Sequence, residues 1–86
     1  MRILLKKSFM KRYQKLKKSD QGKVDHALKL FEQNPHDSQL KNHVLTGKLT
    51  GKRSIAAGFD LRIVFEMEEN YMVVTMLGVG THNQVY

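Results

Sequence analysis

The sequence predicts a small α+β domain of order β-α-α-β-β-β, with an antiparallel sheet packed against a two-helix hairpin. Two observations carry this expectation. Apolar residues recur at helical spacing up to Pro35 and alternate in strand fashion after Gly51. Within the second region, Gly58-Phe59-Asp60 and Glu68-Glu69-Asn70 break the alternation as tight turns would. The 86 residues suffice for one domain, residues 1–86, and a chain of this size buries only about 60% of the surface its unfolded form exposes.

Arg2-Ile3-Leu4-Leu5 is a short apolar run with strand character, expected at a sheet edge or beside the last strand. From Ser8 to Lys18 the period changes: Phe9, Tyr13 and Leu16 fall on one helical face, and the other is nearly all lysine. Ser19 and Asp20 offer a cap for a second helix. Its apolar stripe is Val24, Ala27, Leu28 and Phe31, and Asn34-Pro35-His36-Asp37 stops it. Between Gln39 and Gly51 the chain is polar with isolated anchors at Leu40, Val44, Leu45 and Leu49, the pattern of a loop with a turn of helix. Three strands follow, Lys52–Ala57, Leu61–Met67 and Tyr71–Val79, forming a meander. In the middle one Leu61, Ile63, Phe65 and Met67 alternate with Arg62, Val64 and Glu66, so one face is apolar and must be covered by the helices.

Charge narrows the function classes. Fifteen Lys and Arg stand against eight Asp and Glu, a formal charge of +7, and every charged residue before Asp20 is basic. A second basic stretch runs from Lys41 through Lys48, Lys52 and Arg53 to Arg62. Such density favours a polyanionic partner, nucleic acid or an acidic protein segment. The absence of cysteine removes disulfides and thiolate metal sites and fits a reducing cytoplasm. No apolar run is long enough for a signal peptide or membrane span, so a cytoplasmic protein without membrane attachment is expected. The histidines at 26, 36, 43 and 82 form no i, i+4 pair, which argues against a metal site.

The chain closes on Gly80-Thr81-His82-Asn83-Gln84-Val85-Tyr86, where a small-residue turn presents a group titrating near neutrality beside an aromatic ring. Together with the helical hairpin, the segment His43-Val44-Leu45-Thr46-Gly47-Lys48 and the Asp60–Met67 strand, this ending resembles the RelE/ParE superfamily of bacterial toxins. It is most similar to the YafQ branch, whose chains end in a Gly-Thr-His turn followed by a final aromatic. The resemblance implies a metal-independent, cofactor-free endoribonuclease, an mRNA interferase that cuts translated message on the ribosome. It also implies a cognate acidic antitoxin as partner, besides ribosomal RNA and mRNA. In the chemistry implied, a ribose 2′-OH attacks the adjacent phosphate and expels the 5′-oxygen, which requires a base, an acid and charge stabilisation.

Position by position, the resemblance places His82 as general acid, Tyr86 as the aromatic near the scissile phosphate, and Arg62 as the strand arginine that offsets charge on phosphate. His43, before the Leu-x-Gly pattern, is implied as base or backbone holder. Asp60 matches an acidic position and is equally the residue a turn expects. Lys48, Lys52 and Arg53, with Lys11, Lys15 and Lys18 of the first helix, are expected to hold RNA phosphates. Three positions depart from the branch: Ala56 stands where a second histidine is found, Gly78 where an arginine is found, and Leu61 where a tryptophan is found. Either Arg62 compensates in the RelE manner or the activity is weak. Two rival readings follow, a ParE-like inhibitor of DNA gyrase and a catalytically weak relative that binds RNA or an antitoxin. The terminal histidine and tyrosine favour the enzyme over the gyrase inhibitor, which has no need of them.

Overall fold

The computed structural model describes all of residues 1–86. Strand β1 (Arg2–Leu5) leads into helices α1 (Lys7–Lys15) and α2 (Lys18–Gln33). Strands β2 (His43–Val44), β3 (Arg53–Ala57), β4 (Leu61–Glu68) and β5 (Val73–Thr81) follow, and helix α3 (His82–Val85) closes the chain. The α2 stripe works as its spacing predicts, since Val24, Ala27 and Phe31 are buried. Its start differs from expectation. The N-cap is Lys17, with no side-chain bond, and Asp20 lies inside the first turn. There its carboxylate faces the positive end of the helix dipole and pairs with Lys23 at 3.5 Å. The hairpin is clipped by Tyr13, whose hydroxyl donates to Asp25 Oδ1 at 2.7 Å. That bond raises the phenol above its ordinary value, so the clip is intact at neutral pH and is lost only as pH rises through the raised value.

The sheet order is β1-β5-β4-β3-β2. β1 is both an edge strand and the partner of the last strand, in a parallel pair, the one departure from an antiparallel sheet. β2 is a two-residue strand within the stretch expected to be loop, flanked by 3-10 turns at Ser38–Leu40 and Gly47–Leu49. The β4–β5 turn is wider than expected and carries Glu69, Asn70 and Tyr71 at φ 53°, 53° and 71°. Left-handed backbone at a tyrosine is disfavoured, and here the buried ring holds it. Tyr71 lies 6.0 Å from Phe31 and 6.4 Å from Phe65, and its hydroxyl accepts from Asn42 at 3.0 Å.

Ile55, Ala57, Leu61, Ile63, Phe65, Val74, Met76 and Val79 form the apolar face of the sheet. Phe9 from α1, Val24, Ala27 and Phe31 from α2, and Leu40 and Tyr71 from the connecting turns complete the core, with Phe31 meeting Phe65 edge-on at 5.0 Å. A register shift between Val64 and Phe65 lets the alternation continue past Leu77, which is left without a ladder partner. The opposite face carries Ser54, Ala56, Arg62, Val64, Gly78 and Gly80, and the candidate site is built there. Phe31→Ala should lower stability by about 3–5 kcal/mol, whereas Phe59→Ala, at a side chain 93% exposed in the β3–β4 turn, should change it by less than about 0.5 kcal/mol. Urea midpoints for the two variants check the contrast.

Candidate functional site

Partners directly opposite in an antiparallel ladder share a face. His43 on β2 faces Ser54 on β3, Ser54 faces Val64 on β4, and Val64 faces Gly78 on β5. The next row on this face is Ala56, Arg62 and Gly80. The sheet thus sets His43 and Ser54 side by side, with Cβ atoms about 5 Å apart.

Above these rows sits α3, where an open turn was expected. Thr81 and Gln84 form a capping box in which the Thr81 amide donates to Gln84 Oε1 at 2.9 Å. Gly80 makes room for this fold-back: a Cβ there would lie 2.6 Å from Gln84 Oε1 and 3.0 Å from Gln84 Cβ, so the Gln84 side chain would have to shift from its bond to Thr81. One helical turn brings His82 against Tyr86, ring centroids 4.5 Å apart and nearly perpendicular. The Tyr86 hydroxyl donates to Oγ of Ser54, which is fully buried. His43 Nδ1 is 2.8 Å from the Lys41 carbonyl. A carbonyl only accepts, so Nδ1 carries the proton and the neutral ring keeps its lone pair on Nε2. Ser54 is the common point of the two: His43 is its cross-strand neighbour, and its hydroxyl holds Tyr86, against which His82 packs.

Beside this cluster runs an open groove of about 720 Å³, floored by Val64, Leu77 and Gly78, walled by α1 on one side and Leu49 and Lys52 on the other, and ended by Gln84 and Val85. Lys6, Lys11, Arg12, Lys15 and Lys52 line it, and Glu66 is its one acid, 3.8 Å from Lys52. Five cations against one carboxylate make the groove strongly positive, with walls that focus the field.

The expected site residues divide accordingly. His82, Tyr86 and His43 come together, and Lys11, Lys15 and Lys52 line the groove. Arg62 shares the site face but does not line the groove, and its Nη1 donates to the carbonyls of Phe59 at 3.2 Å and Leu61 at 2.8 Å. Asp60 pairs with Lys23 across 3.8 Å at the turn. Arg53 falls on the opposite strand parity from Ser54 and donates from Nε to Asn42 Oδ1 at 3.0 Å, so it does not face the groove. Lys48 is exposed on the turn before Leu49, and Lys18 opens α2 outside the groove. Ser54, Arg12 and Gln84 were not anticipated. The capping-box spacing Thr81-x-x-Gln84 was the signal for the last.

The fold, a five-stranded sheet with a helical hairpin on one face, is shared with several solved proteins. YafQ from Escherichia coli strain BL21(DE3) is similar with a TM-score of 0.81 at 20% identity, over 100% of this chain and 99% of that one. The E. coli DinJ-YafQ complex gives 0.79 at 20%, with coverage of 100% and 99%. The protein HP0894 from Helicobacter pylori gives 0.74 at 25%, again over 100% and 99%. No curated protein matches the sequence. Residues 1–86 match the family described as "bacterial toxin of type II toxin-antitoxin system, YafQ", and the chain belongs to that family.

Gly80→Ala should push α3 off the sheet while leaving the core intact. The expected result is loss of the ring-current shift that Tyr86 imposes on His82 protons in NMR spectra, with little change in melting temperature. A retained shift would mean that Gln84 moves aside without α3.

Proposed function

We propose that this toxin is a ribosome-dependent endoribonuclease that cleaves translated mRNA. The observation that supports it best is the convergence of His43, Ser54, Tyr86 and His82 beside a groove lined by five cations and one carboxylate, in a chain of the YafQ family. Lys11, Lys15 and Lys52 hold the RNA backbone along the groove. His43, through Nε2, takes the 2′-OH proton. The 2′-oxygen attacks the adjacent phosphorus, closing a cyclic phosphate, and the bond to the 5′-oxygen breaks as His82 protonates it. Tyr86 stacks on or beside the base and sets the attack angle, its hydroxyl serving to anchor the ring on Ser54. Arg62 meets phosphate charge with the guanidinium edge its carbonyl bonds leave free. Asp60 stays with the β3–β4 turn through Lys23.

The partner proposed is an acidic antitoxin; the solved E. coli DinJ-YafQ structure is a toxin-antitoxin complex. The basic groove supplies the complementary charge.

Single-turnover cleavage on programmed ribosomes tests the chemistry. His82→Ala should slow it about 10²–10⁴-fold, with the fold retained. Tyr86→Phe should keep the ring and lose the Ser54 bond, giving a smaller loss than Tyr86→Ala. Equal rates for all four proteins would remove α3 from the mechanism. Wild type that arrests growth without cutting message would point to the gyrase-inhibitor alternative.

Salt dependence tests the groove. Replacing Lys11 and Lys15 by Gln should lower the slope of log affinity against log salt by about one unit per lost phosphate contact. Lys18→Gln should leave the slope nearly unchanged. Equal effects would show that RNA follows helix charge in general and not the groove.

A further inference from the structure

Four of the five groove cations are lysines, and the fifth, Arg12, is placed differently from them. It is half-buried, whereas Lys6, Lys11 and Lys15 are exposed and Lys52, also half-buried, is paired with Glu66. It reaches α3: Nη2 lies 3.4 Å from the Gln84 carbonyl oxygen, and 3.4 Å from the point a Cβ on Gly80 would occupy. Arg12 therefore sits over the row that holds Gly80 and its cross-strand partner Arg62. No carboxylate lies within salt-bridge distance of it, in contrast to Lys52 and Lys23.

We propose that Arg12 is a further catalytic residue, a phosphate-contacting guanidinium supplied by α1, which offsets the charge that builds on the scissile phosphate during cleavage. The inference rests on the ribonuclease reading above. A single long contact to a carbonyl occupies one of five N–H donors and neutralises no charge, so the rest of the planar fork faces the groove. Arg62, itself in that row on β4, has Nη1 already bonded to two carbonyls. Arg12 is the freer of the two and lines the groove itself. A transition-state phosphorane carries more charge on its equatorial oxygens than the ground state does, so a fork at this place acts on rate more than on binding.

The rival role is purely mechanical, with Arg12 bracing α3 through Gln84. Gly78 allows the two to be separated. It lines the same groove, has nothing within 4 Å of a Cβ built upon it, and needs no left-handed backbone. An arginine introduced there brings a guanidinium to the groove from β5 without touching α1. Single-turnover cleavage on programmed ribosomes is compared for wild type, Arg12→Ala, Arg12→Lys and the double variant Arg12→Ala/Gly78→Arg, with the His82–Tyr86 ring contact followed by NMR and folding by thermal melting. Arg12→Ala should slow cleavage about 10²–10³-fold while ribosome association changes only a few-fold and the ring contact persists. Lysine should recover part of the rate, and the double variant should exceed Arg12→Ala by about tenfold or more. Wild-type cleavage by Arg12→Ala, loss of the ring contact in that variant, or a double variant no faster than it would each overturn the proposal. A wild-type protein that leaves ribosome-bound message intact overturns the ribonuclease reading itself, before any variant is compared.

Discussion

The hydroxyl of Tyr86 on the buried Ser54 holds α3 against the sheet, and the arrangement of the candidate site depends on that bond. A helix of four residues has no stability of its own, because a single turn fixes more dihedral angles than its hydrogen bonds repay. α3 exists through its attachments: the capping box of Thr81 and Gln84, the bare backbone of Gly80, and the phenol at its end. Ser54 depends on the bond equally, since an unpaired hydroxyl in a buried position costs about 1–3 kcal/mol. No buried side-chain polar atom in the protein lacks a partner. The same contact therefore satisfies the sheet, closes one end of the groove and fixes the ring against which His82 rests.

The sheet divides the labour between its faces. One face takes nearly all the core, including Phe9 and Phe31 from the two helices. No helix of comparable length is left for the other face, which is covered only by α3 and by the edge of α1. The floor of the groove stays open because Gly78 contributes no side chain. Positive charges gathered around such a depression repel one another and are weakly compensated by Glu66. A polyanion that enters releases its counterions and relieves this repulsion.

Much of this was legible from local pattern. The alternation of Leu61, Ile63 and Phe65 gave the core face of β4 directly, and the spacing of Val24, Ala27 and Phe31 gave the buried side of α2. What escaped was non-local or depended on parity. The place of β1 at the edge beside the last strand was expected, but its parallel direction was not, because nothing in a four-residue apolar run specifies direction. β2 is too short to show a period, and its pairing with β3 is what brings His43 to Ser54. Arg53 was grouped with the RNA-facing cations by charge alone, whereas strand parity sends it to Asn42, away from Ser54. Likewise Lys11, Arg12 and Lys15 share the groove side of α1, and Lys18 falls past the break at Leu16 where the chain turns extended.

The three departures from the YafQ branch are not equivalent once the faces are assigned. Leu61 is in the core, 2% exposed, on the side of the sheet opposite Arg62. A change there alters packing beneath the β3–β4 turn and removes no group from the groove. Ala56 stands in the same row as Arg62 and Gly80, so a histidine at that position would share the row with both the strand arginine and the base of α3. Its absence leaves His43, in the neighbouring row, as the one imidazole contributed by the sheet. Gly78 is different again, for it lies on the groove floor with free space above it. A missing side chain there is the kind of loss that a group from another element can make good, because a groove is recognised by the charges that converge on it and not by the strand that carries them. Arg12 converges on that groove from α1, in a position that no pattern within β5 foretells.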